Sequence, residues 1–234
     1  MNRRDFALVG AAVLAASAAA APVHAASKFP TTWDGLTRVK SKKFKLVYLK
    51  DGADFRGYTK VLLDPTEIAF EKHWKNDYNN EQIDLGTELT DKDLRDMADE
   101  GQKGAGEILR KAYAAGGYPV VDAAAPDVLR VRTALVDIRV TSPDRERAVR
   151  ERVYSQDAGE AKVVFEARDS VTGALLGRAI DGKTAGDNLV YERNRVTNRA
   201  DFARLVEAWA KDSVKGLDEL KTLSPIKAAD VLPG

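Results

Sequence analysis

The chain has 234 residues, with 37 Lys and Arg against 36 Asp and Glu, two histidines and no cysteine, and its formal net charge is +1. Without cysteine it cannot form disulfides, thiol nucleophiles or iron–sulfur sites, and so few histidines argue against a multi-histidine zinc site. Charge neutrality argues against nucleic-acid binding, which needs a concentrated basic surface. We therefore expect no nucleic-acid partner, no metal and no cofactor.

Residues 1–25 form a predicted export leader. Arg3 and Arg4 precede an apolar, alanine-rich stretch at 6–21, and Ala25 ends a small-residue cleavage motif. The sequence RRDF resembles a twin-arginine signal, and an ordinary Sec signal is the alternative. The apolar stretch is shorter than the ~20 residues that span a bilayer, which disfavours an uncleaved anchor. A lipoprotein is excluded because the chain has no cysteine to acylate. We expect cleavage near Ala25 and a periplasmic or otherwise exported protein.

The first part of the predicted mature chain is polar, and we expect 26–43 to be an extended lead-in. Strand-forming residues follow at 43–49, and the first convincing strand material lies at 60–70. Pro65 predicts an edge, a bulge or a break there, because proline cannot donate to a ladder. The polar, turn-rich segment 71–89 is expected to be an irregular connection.

A long helix is predicted over about 90–115. Thr90 can cap its first turn, and Asp93 places an acid where the helix dipole favours it. Apolar and small residues then recur at three- and four-residue spacing until Gly116-Gly117, which predicts the end of the helix.

The segment 127–142 predicts a strand in which apolar and charged residues alternate. The alternation slips by one residue between Leu135 and Val136, so we expect a β-bulge there. The charge-dense segment 143–160 is expected to be a solvated connection.

A β-hairpin is predicted over 161–186, with its turn at 169–173. A second helix is predicted over about 199–221, with Asn198 as its cap and an apolar stripe along its length. The residues at 223–234 are expected to be a loose tail.

This order of elements predicts a single α+β domain over about 44–222. We expect a two-layer sandwich: a mainly antiparallel sheet with both long helices packed on one face.

Several short motifs resemble those of DUF3313, a bacterial family of unknown function, and they are spread over 33–220. They include WDGL at 33–36, GADF at 52–55, DVLRV at 127–131, ARDSVTG at 167–173 and WA at 209–210. The resemblance implies a small exported envelope protein of a lipoprotein-like group, and it assigns no catalytic residues.

Six residues are candidates for a functional surface. Asp169 and Asp181 flank the predicted hairpin, and two carboxylates are sufficient for glycoside hydrolysis. The alternative is structural, because turn capping and ion pairs with Arg168 and Arg178 explain the same residues. The other two candidates are a potential acid/base and its neighbour, His73 and Trp74.

These observations favour a non-enzymatic exported protein that binds a protein partner in the cell envelope, through the open face or an edge of its sheet. We expect no membrane-spanning helix in the mature chain. A carboxylate-dependent hydrolase is an alternative and would need two acids in one pocket. A small-ligand carrier is another, and would need an apolar cavity between helices and sheet.

Overall fold

An eight-stranded sheet forms the largest part of the fold. The computed structural model of the chain describes residues 29–81, 88–141 and 153–227, so the predicted leader lies outside the described residues. Most of the predicted tail and part of the charge-dense connection also lie outside them. The rest of that connection, at 153–160, is strand rather than the predicted solvated connection. The strands are β1 (Thr32–Trp33), β2 (Leu36–Val39), β3 (Leu46–Leu49), β4 (Lys60–Leu63), β5 (Glu67–Phe70), β6 (Val128–Val140), β7 (Val153–Asp169) and β8 (Leu175–Arg193).

The strand order across the sheet is β1-β2-β3-β8-β7-β6-β4, and β5 also pairs with β6. All neighbouring strands are antiparallel except β4 and β5, which run parallel to β6. Pro65 lies between β4 and β5, which agrees with the interruption that the sequence predicts. The structure therefore confirms a mixed α/β fold with a predominantly antiparallel sheet.

The described chain contains three helices, α1 (Trp74–Asn80), α2 (Asp91–Ala115) and α3 (Arg195–Leu223). The first is a correction, because the sequence predicts an irregular connection over this segment. Trp74 is buried and its ring stacks on Phe70 with the centroids 5.2 Å apart. This tertiary contact stabilises a short helix that its polar composition does not predict. None of these three helices combines the length and apolar character of a membrane span.

The start of α2 is as predicted. Thr90 accepts a hydrogen bond from the backbone of Asp93, and the Asp93 carboxylate accepts one from the backbone of Thr90. This reciprocal capping box satisfies two backbone donors that have no partner inside the helix. The helix ends at Ala115, just before the two glycines.

The start of α3 differs from the prediction. The cap is Asn194, whose Oδ1 accepts from the backbone N–H groups of Val196 and Thr197 at 2.9 and 3.1 Å. Asn198 instead lies inside the helix and is buried. The sequence offers Asn at both positions, and only the geometry distinguishes the cap from the interior residue.

The predicted bulge in β6 is present, but it lies C-terminal to the predicted position between Leu135 and Val136. The register with β7 shifts between Val136 and Arg139, and Asp137 has a φ of +49°. The extra residue lets Leu135 and Ile138 both point into the core.

The core lies against one face of the sheet, here called the inner face. It carries buried residues of β6 and β7, and both long helices contribute to the same buried cluster. Representative members are Leu109 and Tyr113 of α2, Val131 and Phe165 of the sheet, and Trp209 and Leu217 of α3. The opposite face, the outer face, carries Glu166 and Arg178.

Residues on both sides of the predicted 44–222 take part in the fold. β1 and β2 lie within the predicted lead-in and pair with the sheet. Ile226, in the predicted tail, is buried, and its backbone exchanges hydrogen bonds of 2.8 Å with Gly52 and Ala53.

Candidate functional site

The outer face of the sheet carries a line of apolar side chains across four strands, here called the apolar row. It consists of Leu46, Ile180, Val164 and Ala134, each directly opposite the next on the neighbouring strand. All four are only partly buried. Directly opposed residues of antiparallel strands have neighbouring side chains, so the row forms a continuous apolar strip.

A second line of side chains, here called the charged row, runs beside the apolar row and is displaced from it by two residues on each strand. It consists of Arg132, Glu166 and Arg178, again in directly opposed positions. Glu166 accepts hydrogen bonds from Arg178 at 2.7 and 3.1 Å. Arg168, the next residue on this face of β7, donates two further bonds to Glu166 at 2.8 and 3.0 Å.

The other side of the apolar row is also charged. Lys162 lies two residues before Val164 on β7, and its ammonium is 2.6 Å from the carboxylate of Asp137. The apolar row is therefore bordered by ion pairs on both sides.

Arg178 is the most enclosed side chain of the charged row, with 8% of its side chain exposed. Its guanidinium bonds to Glu166, lies 2.9 Å from Asp34, and is centred 4.0 Å from the middle of the Trp33 ring. The β1–β2 turn therefore covers one end of the charged row. The stacking is a cation–π contact, which strengthens when the cation is removed from water.

The carboxylate and the guanidinium stabilise each other in their charged forms. Burial alone would raise the pKa of Glu166, but hydrogen bonds from Arg178 and Arg168 outweigh it and hold that pKa below its ordinary value. Burial would lower the pKa of Arg178, but Glu166 and Asp34 raise it instead. Both groups therefore stay ionised at neutral pH.

A shallow recess of about 480 Å³ continues the charged row toward the edge of the sheet. Arg130 donates to Asp64 at 2.9 Å, and Arg132 donates to Glu67 at 2.8 Å. Carboxylates thus pair with the arginines that line the recess, so the surface presents fixed, alternating charges.

The two candidate carboxylates do not meet. Asp169 pairs with Leu129 in the sheet register and Asp181 pairs with Val163, six residues apart along β7. At about 3.3 Å per residue this is a separation of ~20 Å. A hydrolytic site that uses this pair is therefore not formed.

Each of these acids has a structural role. Asp169 caps the hairpin turn, and the hydrogen bond that it accepts from the backbone N–H of Thr172 is the main cause of its lowered pKa. The Asp169 carboxylate also accepts a hydrogen bond from the Tyr58 hydroxyl at 2.8 Å. Asp181 is buried on the inner face and accepts from the indole N–H of Trp209 at 2.9 Å.

The remaining candidates divide between the surface and the core. Arg168 and Arg178 lie on the outer face as described. His73 is exposed just before α1, and Trp74 is buried beneath it in the helix. Within the described ranges, no group of three or more His, Asp or Glu residues is arranged to hold a metal ion.

The apolar row is the feature that sequence reasoning missed. The alternation over 161–168 assigns Val163 and Phe165 to the core, which is correct. Val164 then falls on the charged face between Lys162 and Glu166. An apolar residue at a polar position of the alternation was the available signal.

Comparison with known proteins gives one family. The family model described as "Protein of unknown function (DUF3313)" matches residues 25–213. No curated protein matches the sequence.

Several solved structures match this structure over most of their length. A PelC dodecamer variant from Paraburkholderia phytofirmans is 17% identical, with 71% of this chain and 96% of that chain covered and a TM-score of 0.37. A neuraminyllactose-binding hemagglutinin homolog from Helicobacter pylori is 11% identical, with 74% and 95% covered and a TM-score of 0.37. A lipoprotein from Caulobacter crescentus is 15% identical, with 77% and 98% covered and a TM-score of 0.32. Identities and TM-scores this low carry no functional assignment.

Proposed function

The chain belongs to the DUF3313 family, and we propose that it is a non-enzymatic protein of the bacterial cell envelope that binds a partner protein through the outer face of its sheet. The predicted leader at 1–25 supports export to the periplasm, by the twin-arginine or the Sec route. The observation that carries the proposal is the apolar row, a partly exposed strip bordered by ion pairs. An apolar centre with a polar rim is the usual anatomy of a protein–protein interface.

The face is a better contact surface than the two strands that end the sheet order. These strands, β1 and β4, have two and four residues. Strand addition needs a longer row of unpaired backbone groups, and short edges are one way in which proteins prevent it. The outer face offers four strands in register.

The proposed architecture leaves this face open. We infer a two-layer sandwich in which α2 and α3 both cover the inner face, within a domain that extends the predicted 44–222 at both ends. The contact between Trp209 and Asp181 and the shared buried cluster support this arrangement. The partner then meets the outer face without displacing a helix.

The proposal is tested by recovery of partners from envelope extracts. The double variant Val164→Glu/Ile180→Glu places two carboxylates in the apolar row and should recover at least tenfold less partner than the unmodified chain. A matched control, Val171→Glu/Val190→Glu, adds the same charges at exposed positions elsewhere. Equal recovery by the three proteins would refute the proposed surface.

A further inference from the structure

A cavity of about 280 Å³ lies between α3 and the inner face of the sheet, beneath the connection from β2 to β3. Its walls are mostly apolar side chains and include Phe44, Leu49, Phe55, Val131, Phe165 and Leu217. All six of these residues also belong to the buried core. An aliphatic chain that lies against these walls removes apolar surface from water, which favours its binding.

The opening of the cavity is basic. Lys40 and Lys42 line it and are exposed, so they lie at its rim. Lys43 also lines it and forms an ion pair with Glu219 of α3. The lining contains three lysines and Arg178 against Glu166 and Glu219, so its formal net charge is positive.

We propose that this cavity binds one aliphatic chain that ends in a carboxylate, as in a free fatty acid. The apolar walls take the chain, and the lysines at the rim bind the carboxylate by charge-assisted hydrogen bonds. The volume lies just below the ~300–1,000 Å³ of pockets that hold drug-sized ligands, so it admits one short chain and excludes the two chains of a phospholipid. The site is on the inner side of the sheet and does not depend on the proposed outer-face contact.

Gly216 of α3 provides the test of where the chain binds. It lines the cavity, and a Cβ at this position would meet only the Phe44 ring, at 4.0 Å. Gly216→Leu therefore places a larger side chain in the cavity without a backbone clash, and replaces a glycine inside a helix. Gly104→Leu in α2 is the matched control, because a Cβ there meets nothing within 4 Å.

The experiment is calorimetric titration of the full mature chain with decanoate. The proposal predicts one bound decanoate per chain, at least tenfold weaker binding by Gly216→Leu, and unchanged binding by Gly104→Leu. Thermal unfolding of each variant confirms that it is folded. Absence of decanoate binding, or equal binding by Gly216→Leu, would overturn the proposal.

The basic rim has its own test. Lys40→Gln/Lys42→Gln should weaken decanoate binding at least fivefold, whereas Lys45→Gln, an exposed lysine of the same connection outside the cavity lining, should not. Decyltrimethylammonium has the same chain and the opposite charge, and should bind at least tenfold more weakly than decanoate. Equal binding of the two amphiphiles would overturn the assignment of an anionic ligand.

Discussion

Glu166 on β7 lies directly opposite Arg178 on β8 and accepts two hydrogen bonds from its guanidinium, at 2.7 and 3.1 Å. The guanidinium is also stacked on Trp33 and paired with Asp34, so it is held from three directions. A partner that meets this face finds its charges already ordered, which reduces the entropy that binding costs. The charged row therefore gives the outer face a fixed charge pattern beside the apolar row.

Glu166→Gln should destabilise the protein by about 2 kcal/mol at pH 7, because bonds from two guanidiniums lose their charged acceptor. The pKa of Glu166 is lowered by folding, so its contribution is complete above the unfolded pKa of about 4.3 and is lost as the pH falls through the lower folded value. The difference between the two proteins should therefore shrink on acidification below about pH 4. Urea unfolding at pH 7 and pH 3 measures it.

The exposed Glu107 on α2 provides a control for this substitution. Glu107→Gln should change the free energy of unfolding by less than about 0.5 kcal/mol, as expected for an exposed charge. A cost of Glu166→Gln that stayed constant from pH 7 to pH 3 would contradict the ionic role of the carboxylate.

Gly159→Ala should destabilise the sheet strongly. Gly159 lies opposite the β6 bulge with a φ of +137°, and a Cβ there would be 1.9 Å from the carbonyl oxygen of Arg139. We expect a loss of at least about 3 kcal/mol from backbone strain and displacement of the bulge. By contrast, Gly106→Ala in α2 meets nothing within 4 Å and should stabilise the protein by about 0.5–1 kcal/mol. Thermal unfolding of both variants checks the pair, and equal effects would refute this account of the bulge.

The bulge also shows which features of the fold can be predicted from the sequence. The one-residue slip in alternation along β6 predicts that a bulge exists, because apolar residues on both sides of the slip must face the same core. It does not predict that Asp137 takes the positive φ, nor that Gly159 on β7 accommodates the close approach. Those features depend on the pairing register of two strands.

Asp181→Ala should cost about 2 kcal/mol, because the buried indole N–H of Trp209 would lose its acceptor at 2.9 Å. Asp181→Asn should cost less, since an amide oxygen can still accept this bond. The free energy of unfolding of both variants gives the measurement. Equal costs would show that the carboxylate charge and its pair with Lys183 matter more than the hydrogen bond.

The candidate residues illustrate what local sequence cannot supply. Asp169 and Asp181 flank one hairpin, yet the turn binds the first and the core binds the second, at register positions six residues apart along β7. Trp74 belongs to a helix that forms through packing on Phe70 rather than through its own composition. Local pattern predicted β6, the later part of β7 and the α2 cap. Tertiary contacts decided β1, β2, the first part of β7, α1, the α3 cap and the role of each acid.

Residue-specific photo-crosslinking at the apolar row is the most direct test of the proposed contact surface. A photoreactive phenylalanine derivative would replace Ile180 in the full chain produced in bacteria, and Val171, exposed in the hairpin turn, would be the control position. The proposed function predicts a discrete protein adduct from position 180 that is absent from position 171. No adduct at 180, or the same adducts from both positions, would contradict a partner on the outer face.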